Sequence, residues 1–276
     1  VDLDRIAGLD NFCWPDPIES EKTPDGRFKL AQLVRANRAL EDVCRAYALP
    51  CISGKDSMKN DATLDGEKIS VPPTLLFSLL GDHQDVRYAV SSDLKDIGDS
   101  IYLIGESRQE LGASELAYML RDESNGLSGI GGAVPSIEPE RNLSAYKAIT
   151  KAMHSGLIAS AHDCSDGGLS VAIAESCFGI DSGAEIEISA LRGHDDELDK
   201  WGALFGESLG RIIVSVSPKN INQFEIAMQE ISCTKIGTVS SSNKLVITDC
   251  SSTILSSSIE DLRSSWKGAL DGGGSQ

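Results

Sequence analysis

Apolar residues recur every three or four positions along residues 28–49, and charged residues fill the positions between them. This spacing places one apolar stripe along one face of a helix, so we predict a long amphipathic helix here. Pro24-Asp25-Gly26 forms a turn before the helix, and Pro50 ends it. Residues 51–57 are expected to form a short strand that runs into a polar loop.

Two patterns in the next segment predict further strands. Asp65-Gly66-Glu67 has the residues of a tight hairpin turn. Residues 74–80 form a short apolar run behind Pro72-Pro73. We interpret this run as a buried strand, although a helix would share the same pattern.

The hydrophobic pattern changes near residues 85–97, where polar and charged residues dominate. We place a domain boundary there, which divides the chain into domains at residues 1–90 and 97–270. Beyond the boundary, short apolar runs alternate with segments of helical spacing, and this alternation indicates an α/β or α+β layered domain. The expected strands are 101–105, 157–161, 184–188, 211–216, 235–239 and 245–248. The expected helices are 113–121, 140–155, 169–178, 195–205, 221–231 and 258–270.

The charge of the chain argues against two classes of partner. There are 25 Lys and Arg against 42 Asp and Glu, which gives a formal net charge of −17. Such a chain repels nucleic-acid phosphates and anionic lipid. Its densest basic run, residues 27–45, is interrupted by acidic and apolar residues. We therefore expect no nucleic acid and no membrane among the partners.

The targeting and cysteine patterns favour a cytoplasmic protein. No apolar stretch reaches the ~18 residues of a membrane-spanning helix, and residues 1–5 lack the basic and apolar regions of a signal peptide. The seven cysteines are odd in number and include no CxxC pair. This pattern argues against a disulfide framework or a zinc knuckle and favours a reducing compartment.

One stretch combines a strand with a turn that suits a metal-bound nucleotide. The apolar run 157–161 leads into His162-Asp-Cys-Ser-Asp-Gly-Gly168, and a helix is expected directly after it. Ligands collect at the carboxyl ends of strands and at helix N-termini. A carboxylate such as Asp163 suits Mg²⁺, and the two glycines would let the backbone approach a phosphate. The alternative is a tight turn in which Ser165 or Asp166 only caps the helix.

A second polar segment is Ser53-Gly-Lys-Asp-Ser57. It is not a P-loop, because Asp56 follows the lysine and Leu49 stands where that motif requires a glycine. A lysine, a carboxylate and a hydroxyl within three residues could still serve a phosphate and a metal together. The pattern by itself favours the alternative, which is a solvated turn.

Three other motifs leave their roles open. The glycine-rich residues 126–134 lack the third glycine of a dinucleotide fingerprint and fit a surface loop better than a lid. Residues 10–17 fit either a rigid ligand rim or a packed loop. Residues 205–211 either face a site or end a helix at Gly206. The four histidines form no HxxxH or triad pattern, so nothing in the sequence indicates hydrolase chemistry.

Five motifs in this order resemble the C-terminal half of the phosphoribosylformylglycinamidine synthase family, in the aminoimidazole ribonucleotide synthetase superfamily. The motifs are Asp10-Asn-Phe-Cys-Trp-Pro-Asp-Pro17, Ser53-Gly-Lys-Asp-Ser-Met-Lys-Asn60, Val71-Pro-Pro-Thr-Leu-Leu76, His162-Asp-Cys-Ser-Asp-Gly-Gly168 and Phe205-Gly-Glu-Ser-Leu-Gly-Arg211. The resemblance covers nearly the whole chain, from about residue 5 to residue 250.

This resemblance implies a fold, an activity and partners. The fold would be an N-terminal barrel-forming sheet domain, incomplete here, followed by an α/β layered C-terminal domain of the aminoimidazole ribonucleotide synthetase type. The activity would be an ATP-dependent ligase step of purine biosynthesis. In it, ATP activates the amide oxygen of formylglycinamide ribonucleotide (FGAR), and glutamine-derived ammonia displaces phosphate to give the amidine. The partners would be the N-terminal half of the synthase, a glutaminase domain or subunit, and a second copy through the N-terminal domain.

The resemblance also implies site residues in the first domain, with ATP or ADP and Mg²⁺ as cofactors. Gly54 would contact ATP and Ser57 the substrate, and Lys55 and Asp56 belong to the same nucleotide- and substrate-binding segment. Lys55 stands where small members of the family have a metal-binding Asn, which argues against a metal role for this segment.

In the second domain, the resemblance implies a second, structural nucleotide. Asp163 would bind its Mg²⁺, and Ser165, Gly167 and Gly168 would contact the nucleotide. Leu209 replaces a Gln that binds substrate in the other half of the family's enzymes, which argues against substrate binding at this position.

The resemblance further predicts that the chain acts with other parts. The family's catalytic histidine and ATP-binding lysine lie in the N-terminal half, and a helix with a metal-binding Glu and Asn should precede Val1. We therefore expect a fragment or a separately encoded half that does not complete the reaction alone. Two alternatives are a non-catalytic scaffold module that binds a magnesium nucleotide and a stand-alone ATP-using relative.

Overall fold

The computed structural model of the protein describes residues 2–121, 132–180 and 182–268. The chain divides into two compact units, Val1–Val86 and Arg87–Gln276. Each unit has its own sheet, and each is described by itself below.

The first unit contains a three-stranded sheet, one long helix and a hairpin. The sheet has the order β2-β1-β5, in which β1 pairs parallel with β2 and antiparallel with β5. Its strands are β1 (Ile6–Cys13), β2 (Cys51–Ser57) and β5 (Thr74–Gly81), the hairpin strands are β3 (Asp61–Leu64) and β4 (Glu67–Ser70), and the helix is α1 (Gly26–Ala46).

Local chemistry explains the elements of this unit that the sequence predicted. The long helix is confirmed, but it ends at Ala46 because Ala48 adopts a left-handed φ of 51° ahead of Pro50. The hairpin is also confirmed. Asp65 and Gly66 have φ values of 52° and 89°, and two successive residues of positive φ match the twist of the strands that they join.

Three expectations for this unit need correction. Residues 53–57 are not a polar loop, because they continue β2 and pair with residues 9–13 of β1. Residues 10–17 are not a loop throughout, because β1 runs to Cys13. Phe12 and Trp14 are buried, which agrees with a packed segment and not with an open ligand rim. The run at 74–80 is a strand, but not a buried one: most of its residues are exposed.

The second unit is built on a mixed seven-stranded sheet of order β12-β11-β8-β10-β6-β9-β7. Its pairs are antiparallel except for β11 and β8, which run parallel. The strands are β6 (Ser100–Ile104), β7 (Ser160–Asp163), β8 (Gly183–Glu187), β9 (Ile212–Val216), β10 (Cys233–Ser240), β11 (Lys244–Asp249) and β12 (Ser252–Ser258). The helices are α2 (Glu115–Met119), α3 (Pro139–His154), α4 (Gly168–Ser176), α5 (Lys200–Phe205), α6 (Ile221–Ala227) and α7 (Ile259–Gly268).

Helices cover both faces of this sheet. Residues of β6 alternate between two hydrophobic clusters: Ile101 and Leu103 pack with residues of α4, whereas Tyr102 and Ile104 pack with residues of α3 and α6. Alternate side chains of a strand point to opposite faces, so a strand that is buried on both faces appears as a continuous apolar run. The predicted α/β (α+β) fold class is confirmed.

Most predicted elements of this unit are present with shifted ends. The strand expected at 157–161 lies at Ser160–Asp163, and the helix expected at 195–205 begins only at Lys200. The strand β12 was not expected. Residues 122–131, which hold most of the glycine-rich segment, lie outside the described residues. Within the described residues, no helix has the length and apolar character needed to cross a membrane.

Candidate functional site

The turn between β7 and α4 carries the strongest candidate residues. Asp163 is the last residue of β7, and α4 begins at Gly168 with Gly167 as its N-cap. The amide of Cys164 donates to the carbonyl oxygen of Arg211 at 3.0 Å, which ties the turn to the neighbouring segment. The Asp163 side chain is 71% exposed, so its carboxylate is open to a ligand. Its Oδ2 accepts a hydrogen bond from Ser165 Oγ.

The two glycines of this turn are required by the backbone itself. Gly167 and Gly168 have φ values of 75° and 66°, which side chains rarely adopt. A Cβ atom on Gly168 would lie 2.5 Å from the carbonyl oxygen of Gly206. The glycines therefore reverse the chain into α4 and allow close packing, whatever further contact they make with a phosphate.

Glu207 holds the turn from outside it. Its Oε1 accepts hydrogen bonds from the backbone amides of Gly167 and Glu115, both at 2.9 Å. One carboxylate oxygen thereby joins the N-terminal ends of α4 and α2. The N–H of Gly167 is directed to this carboxylate and not into the open space beside the turn. Sequence reasoning did not assign this role, although the motif at residues 205–211 placed a charged residue just after a helix.

Arg211 shapes the segment that carries Glu207. Its guanidinium is buried and donates from Nε to the carbonyl of Ser208 at 3.1 Å, from Nη1 to Ser107 Oγ at 3.0 Å, and from Nη2 to the carbonyl of Gly206. Burial lowers the pKa of Arg211, while Cys164 and nearby glutamates oppose that shift. The bonds to the carbonyls of Ser208 and Gly206 fix the path of the backbone between α5 and β9.

A cavity of about 450 Å³ opens beside the turn. Its lining includes Pro135, Tyr146, Asp163, Ser165, Asp166, Glu207 and Leu209. Within the described residues, no three His, Cys, Asp or Glu side chains are grouped closely enough to enclose a metal ion. Protein-bound Mg²⁺ often keeps several waters and takes one or two carboxylates together with phosphate oxygens. The exposed oxygens of Asp163, Ser165 and Asp166 fit a hydrated Mg²⁺ of that kind.

Two neighbours of the turn do not take part in such chemistry. Burial raises the pKa of the Cys164 thiol to about 11, so it is neutral near pH 7 and a poor metal ligand or nucleophile. The Nδ1 atom of His162 is 2.7 Å from the carbonyl oxygen of Asp163, and its Nε2 is 3.4 Å from Glu175 Oε2. His162 is therefore held between two protein groups.

The other predicted residues, Gly54, Lys55, Asp56 and Ser57, lie in the first unit on β2. They pair through the backbone with residues 10–13 of β1 and are largely exposed. Lys55 Nζ donates to Ser57 Oγ at 2.7 Å, so the structure brings these two side chains together. A Cβ atom on Gly54 would lie 2.6 Å from Asp10 Oδ1, so a larger residue there would require the Asp10 side chain to move.

A second cavity of the second unit was not expected from the sequence. It measures about 330 Å³ and is lined by two arginines and several glutamates. Two arginines in its lining form salt bridges with the same two glutamates: Arg108 and Arg141 each contact Glu106 and Glu138. Of the two glutamates, Glu138 is the closer to Arg108. The segment around Leu209 lines both cavities and forms a shared wall.

The comparisons with known proteins agree with this fold. The sequence model of a family described as AIR synthase related protein, C-terminal domain, matches residues 96–250. PurL of Thermotoga maritima complexed with ATP has 15% identity and a TM-score of 0.64 over 94% of this chain and 38% of PurL. PurL of the same organism complexed with FGAR has 14% identity and a TM-score of 0.65 over 93% of this chain and 39% of PurL.

A third structure is the hydrogenase maturation protein HypE in complex with ATP. It has 13% identity and a TM-score of 0.62, and the match covers 92% of this chain and 73% of HypE. At these identities the structures establish a shared fold alone. The chain spans less than two fifths of the length of the PurL chains that it matches.

Proposed function

The chain belongs to the family of AIR synthase related proteins, and from this membership we propose that it is part of an ATP-dependent carbon–nitrogen ligase of the phosphoribosylformylglycinamidine synthase type. In this reaction ATP phosphorylates the amide oxygen of FGAR, and ammonia then displaces phosphate to give the amidine. The N-terminal half of the synthase and a glutaminase would supply the remaining site and the ammonia. We place the reaction in the cytoplasm.

The observation that carries the proposal is the exposed carboxylate of Asp163 at the end of β7, beside a cavity lined with oxygen donors. When bound, a magnesium nucleotide would supply its phosphates to this turn. Asp163 would bind the Mg²⁺, Ser165 would orient the nucleotide, and Glu207 would hold the turn in place. The N–H groups of Gly167 and Gly168 bond to Glu207 and to the carbonyl of Ser165, so these glycines would contact the nucleotide by letting it come close to a backbone without side chains. Phosphoryl chemistry depends mainly on such positioning and charge neutralisation.

On β2, we propose that Gly54 contacts ATP and Ser57 the substrate, with Lys55 and Asp56 beside them. The contact between Lys55 and Ser57 supports a joint role for these side chains. The exposure of this strand supports access to a ligand.

Isothermal titration calorimetry with Mg-ADP and Mg-ATP tests the nucleotide site. We expect one binding event on this chain alone, at the turn of residues 163–168, because the ATP site that includes Gly54 would need the N-terminal half of the synthase. Asp163→Ala should weaken it at least tenfold, because it removes the proposed metal ligand. Asp196→Ala removes another exposed carboxylate of the same unit and should leave the affinity unchanged. Equal affinities for the Asp163 variant and the parent would refute this site, and no binding to either would refute the nucleotide function.

The ligase activity is tested on the full protein that contains this chain, assayed with FGAR, Mg-ATP and an ammonia source. Phosphate release should require FGAR and should yield the amidine. A second candidate is an ATP-using relative that acts without the other half of the synthase, and it is supported by the match to the HypE structure in complex with ATP, with a TM-score of 0.62. ATP turnover that is independent of FGAR would favour this second candidate.

A further inference from the structure

Two cysteines of the first unit lie beside each other. Cys44 is in the last turn of α1, Cys51 is the first residue of β2, and their Sγ atoms are 3.7 Å apart. Cys51 is exposed and Cys44 is half-buried. A disulfide has an S–S distance of about 2.05 Å, so the sulfurs must approach each other, but no distant segment has to move.

The backbone between the two cysteines holds them in place. The amide of Leu49 donates to the carbonyl oxygen of Cys44 at 2.8 Å, and the amide of Gly8 donates to the carbonyl oxygen of Pro50 at 2.8 Å. Ala48 turns the chain with a left-handed φ of 51°. The two thiols therefore face each other across a hydrogen-bonded connection.

The remaining cysteines are placed differently. Cys164 and Cys177 are buried, and burial raises their pKa values to about 11 and about 12. Cys13 accepts a hydrogen bond from the Asn60 amide at 3.1 Å. Among the residues that the structure describes, Cys44 and Cys51 are the one pair of cysteines with a contact between their sulfurs.

We propose that Cys44 and Cys51 are a reversible redox site that a low-molecular-weight disulfide, such as oxidised glutathione, converts to an intramolecular disulfide. The Cys51 thiolate attacks one sulfur of the oxidant, which releases one thiol and leaves a mixed disulfide on Cys51. The Cys44 thiolate then attacks the Cys51 sulfur and releases the second thiol. Two protein thiols are oxidised, one disulfide is reduced to two thiols, and the protons of the protein thiols pass to the released thiolates.

The order of the two steps follows from the surroundings of the cysteines. Burial raises the pKa of Cys44 to about 11, and the adjacent Cys51 and the charge of Asp10 add to this shift. Its thiolate fraction is small near neutral pH, whereas Cys51 is the exposed sulfur that an oxidant can reach. Cys51 therefore forms the mixed disulfide, and Cys44 resolves it.

The bond would connect the end of α1 to the start of β2, the strand that carries Gly54 and Ser57. In a reducing compartment the pair stays as thiols. Under oxidising conditions, the disulfide would link β2 covalently to α1. This inference rests on the geometry of the first unit and does not depend on the proposed function.

The test is incubation of the protein with oxidised glutathione, followed by thiol titration and peptide mass mapping under denaturing conditions. We expect a loss of two of the seven thiols, a linked peptide pair that contains Cys44 and Cys51, and full recovery after dithiothreitol. Cys250→Ser removes an exposed cysteine of the other unit and should leave the linked pair unchanged.

Cys44→Ser separates the two steps, because Cys51 then has no resolving thiol. The variant should stop at one glutathione adduct on Cys51, provided that circular dichroism matches that of the parent. A stable adduct on Cys51 in the parent protein would overturn the proposal. So would retention of all thiols, or linkage of Cys51 to another chain in place of Cys44. If the variant does not fold, the peptide map of the parent still decides between these outcomes.

Discussion

Glu207 connects the N-terminal ends of α4 and α2 through one carboxylate oxygen, which accepts hydrogen bonds from the backbone amides of Gly167 and Glu115. We predict that Glu207→Ala lowers the free energy of unfolding of the second unit by about 2 kcal/mol, because two backbone donors lose a charged acceptor. Binding of Mg-ADP should also weaken, because the turn at residues 163–168 is held less firmly. Urea denaturation and calorimetry measure the two effects.

Glu197→Ala is the matched control, since Glu197 is exposed in the same unit. It should change neither the stability nor the affinity. A Glu207 variant as stable as the parent would show that the two hydrogen bonds contribute little. Weaker nucleotide binding without any loss of stability would mean that Glu207 contacts the ligand and is not a positioning residue.

We predict that the surroundings of His194 make the folding stability depend on pH. Its Nδ1 accepts a hydrogen bond from the backbone amide of Ser107 at 3.1 Å, and its Nε2 lies 2.9 Å from Thr234 Oγ1. Burial lowers the pKa of His194 below the ordinary value of 6.5; Glu106 opposes this shift and Arg211 adds to it. The unfolded chain therefore binds a proton more readily than the folded one, and stability falls as the pH drops below about 6.5.

The measurement is the melting temperature between about pH 8 and about pH 5, where the ordinary histidine titrates. His194→Gln should flatten the fall on the acid side, because the variant has no imidazole to protonate. Identical slopes in the parent and the His194 variant would contradict the prediction.

The residues of the candidate site differ in how far the sequence could predict them. Asp163, Ser165 and the two glycines were found because they are adjacent in the chain and follow an apolar strand. Glu207 lies 40 residues from Gly167 in the chain, and no local pattern indicates that they meet. The roles of all these residues in nucleotide binding stay predictions.

Elements with a clear period were predicted, and elements held by their neighbours were not. The helix α1 and the strand β6 follow from apolar spacing alone. The strand β12, Ser252–Ser258, is rich in serine and forms because it pairs with β11. The start of β2 was predicted, but its polar residues 53–57 were expected to form a loop, and they continue the strand because β1 offers a parallel partner. Pairing of this kind depends on distant residues, which a local pattern does not contain.

The glycine that begins α4 is required by the conformation of this helix end. We expect Gly168→Ala to destabilise the second unit by about 2 kcal/mol or more, because the residue has a φ of 66° and its Cβ would meet the carbonyl of Gly206. Gly193→Ala is the control, since a Cβ there meets nothing within 4 Å. Thermal denaturation of the two variants measures the difference, and equal melting temperatures would contradict the strain that we assign to this turn.

The charge of the whole chain bears on how it would bind a nucleotide. The formal net charge is −17, and the turn at residues 163–168 adds exposed carboxylates on the side of the cavity. Free ATP is itself an anion, so repulsion must be overcome by a bound cation.

We therefore predict that chelation of Mg²⁺ with EDTA weakens ATP binding at least tenfold, as measured by calorimetry at constant ionic strength. In Asp163→Ala, EDTA should have a much smaller effect, because the variant has lost the proposed metal ligand. An EDTA effect of the same size in both proteins would place the metal elsewhere.

The leucines of β5 have a consequence for handling the protein. Leu76, Leu79 and Leu80 are between 58% and 62% exposed, and an apolar surface of this kind promotes association. At neutral pH the excess of carboxylates keeps the molecules apart by mutual repulsion. Acidification toward about pH 4, where carboxyl groups take up protons, removes that barrier while the leucines stay in water. We therefore expect turbidity to appear on acidification, and its onset should move to lower pH when these leucines are replaced by threonine.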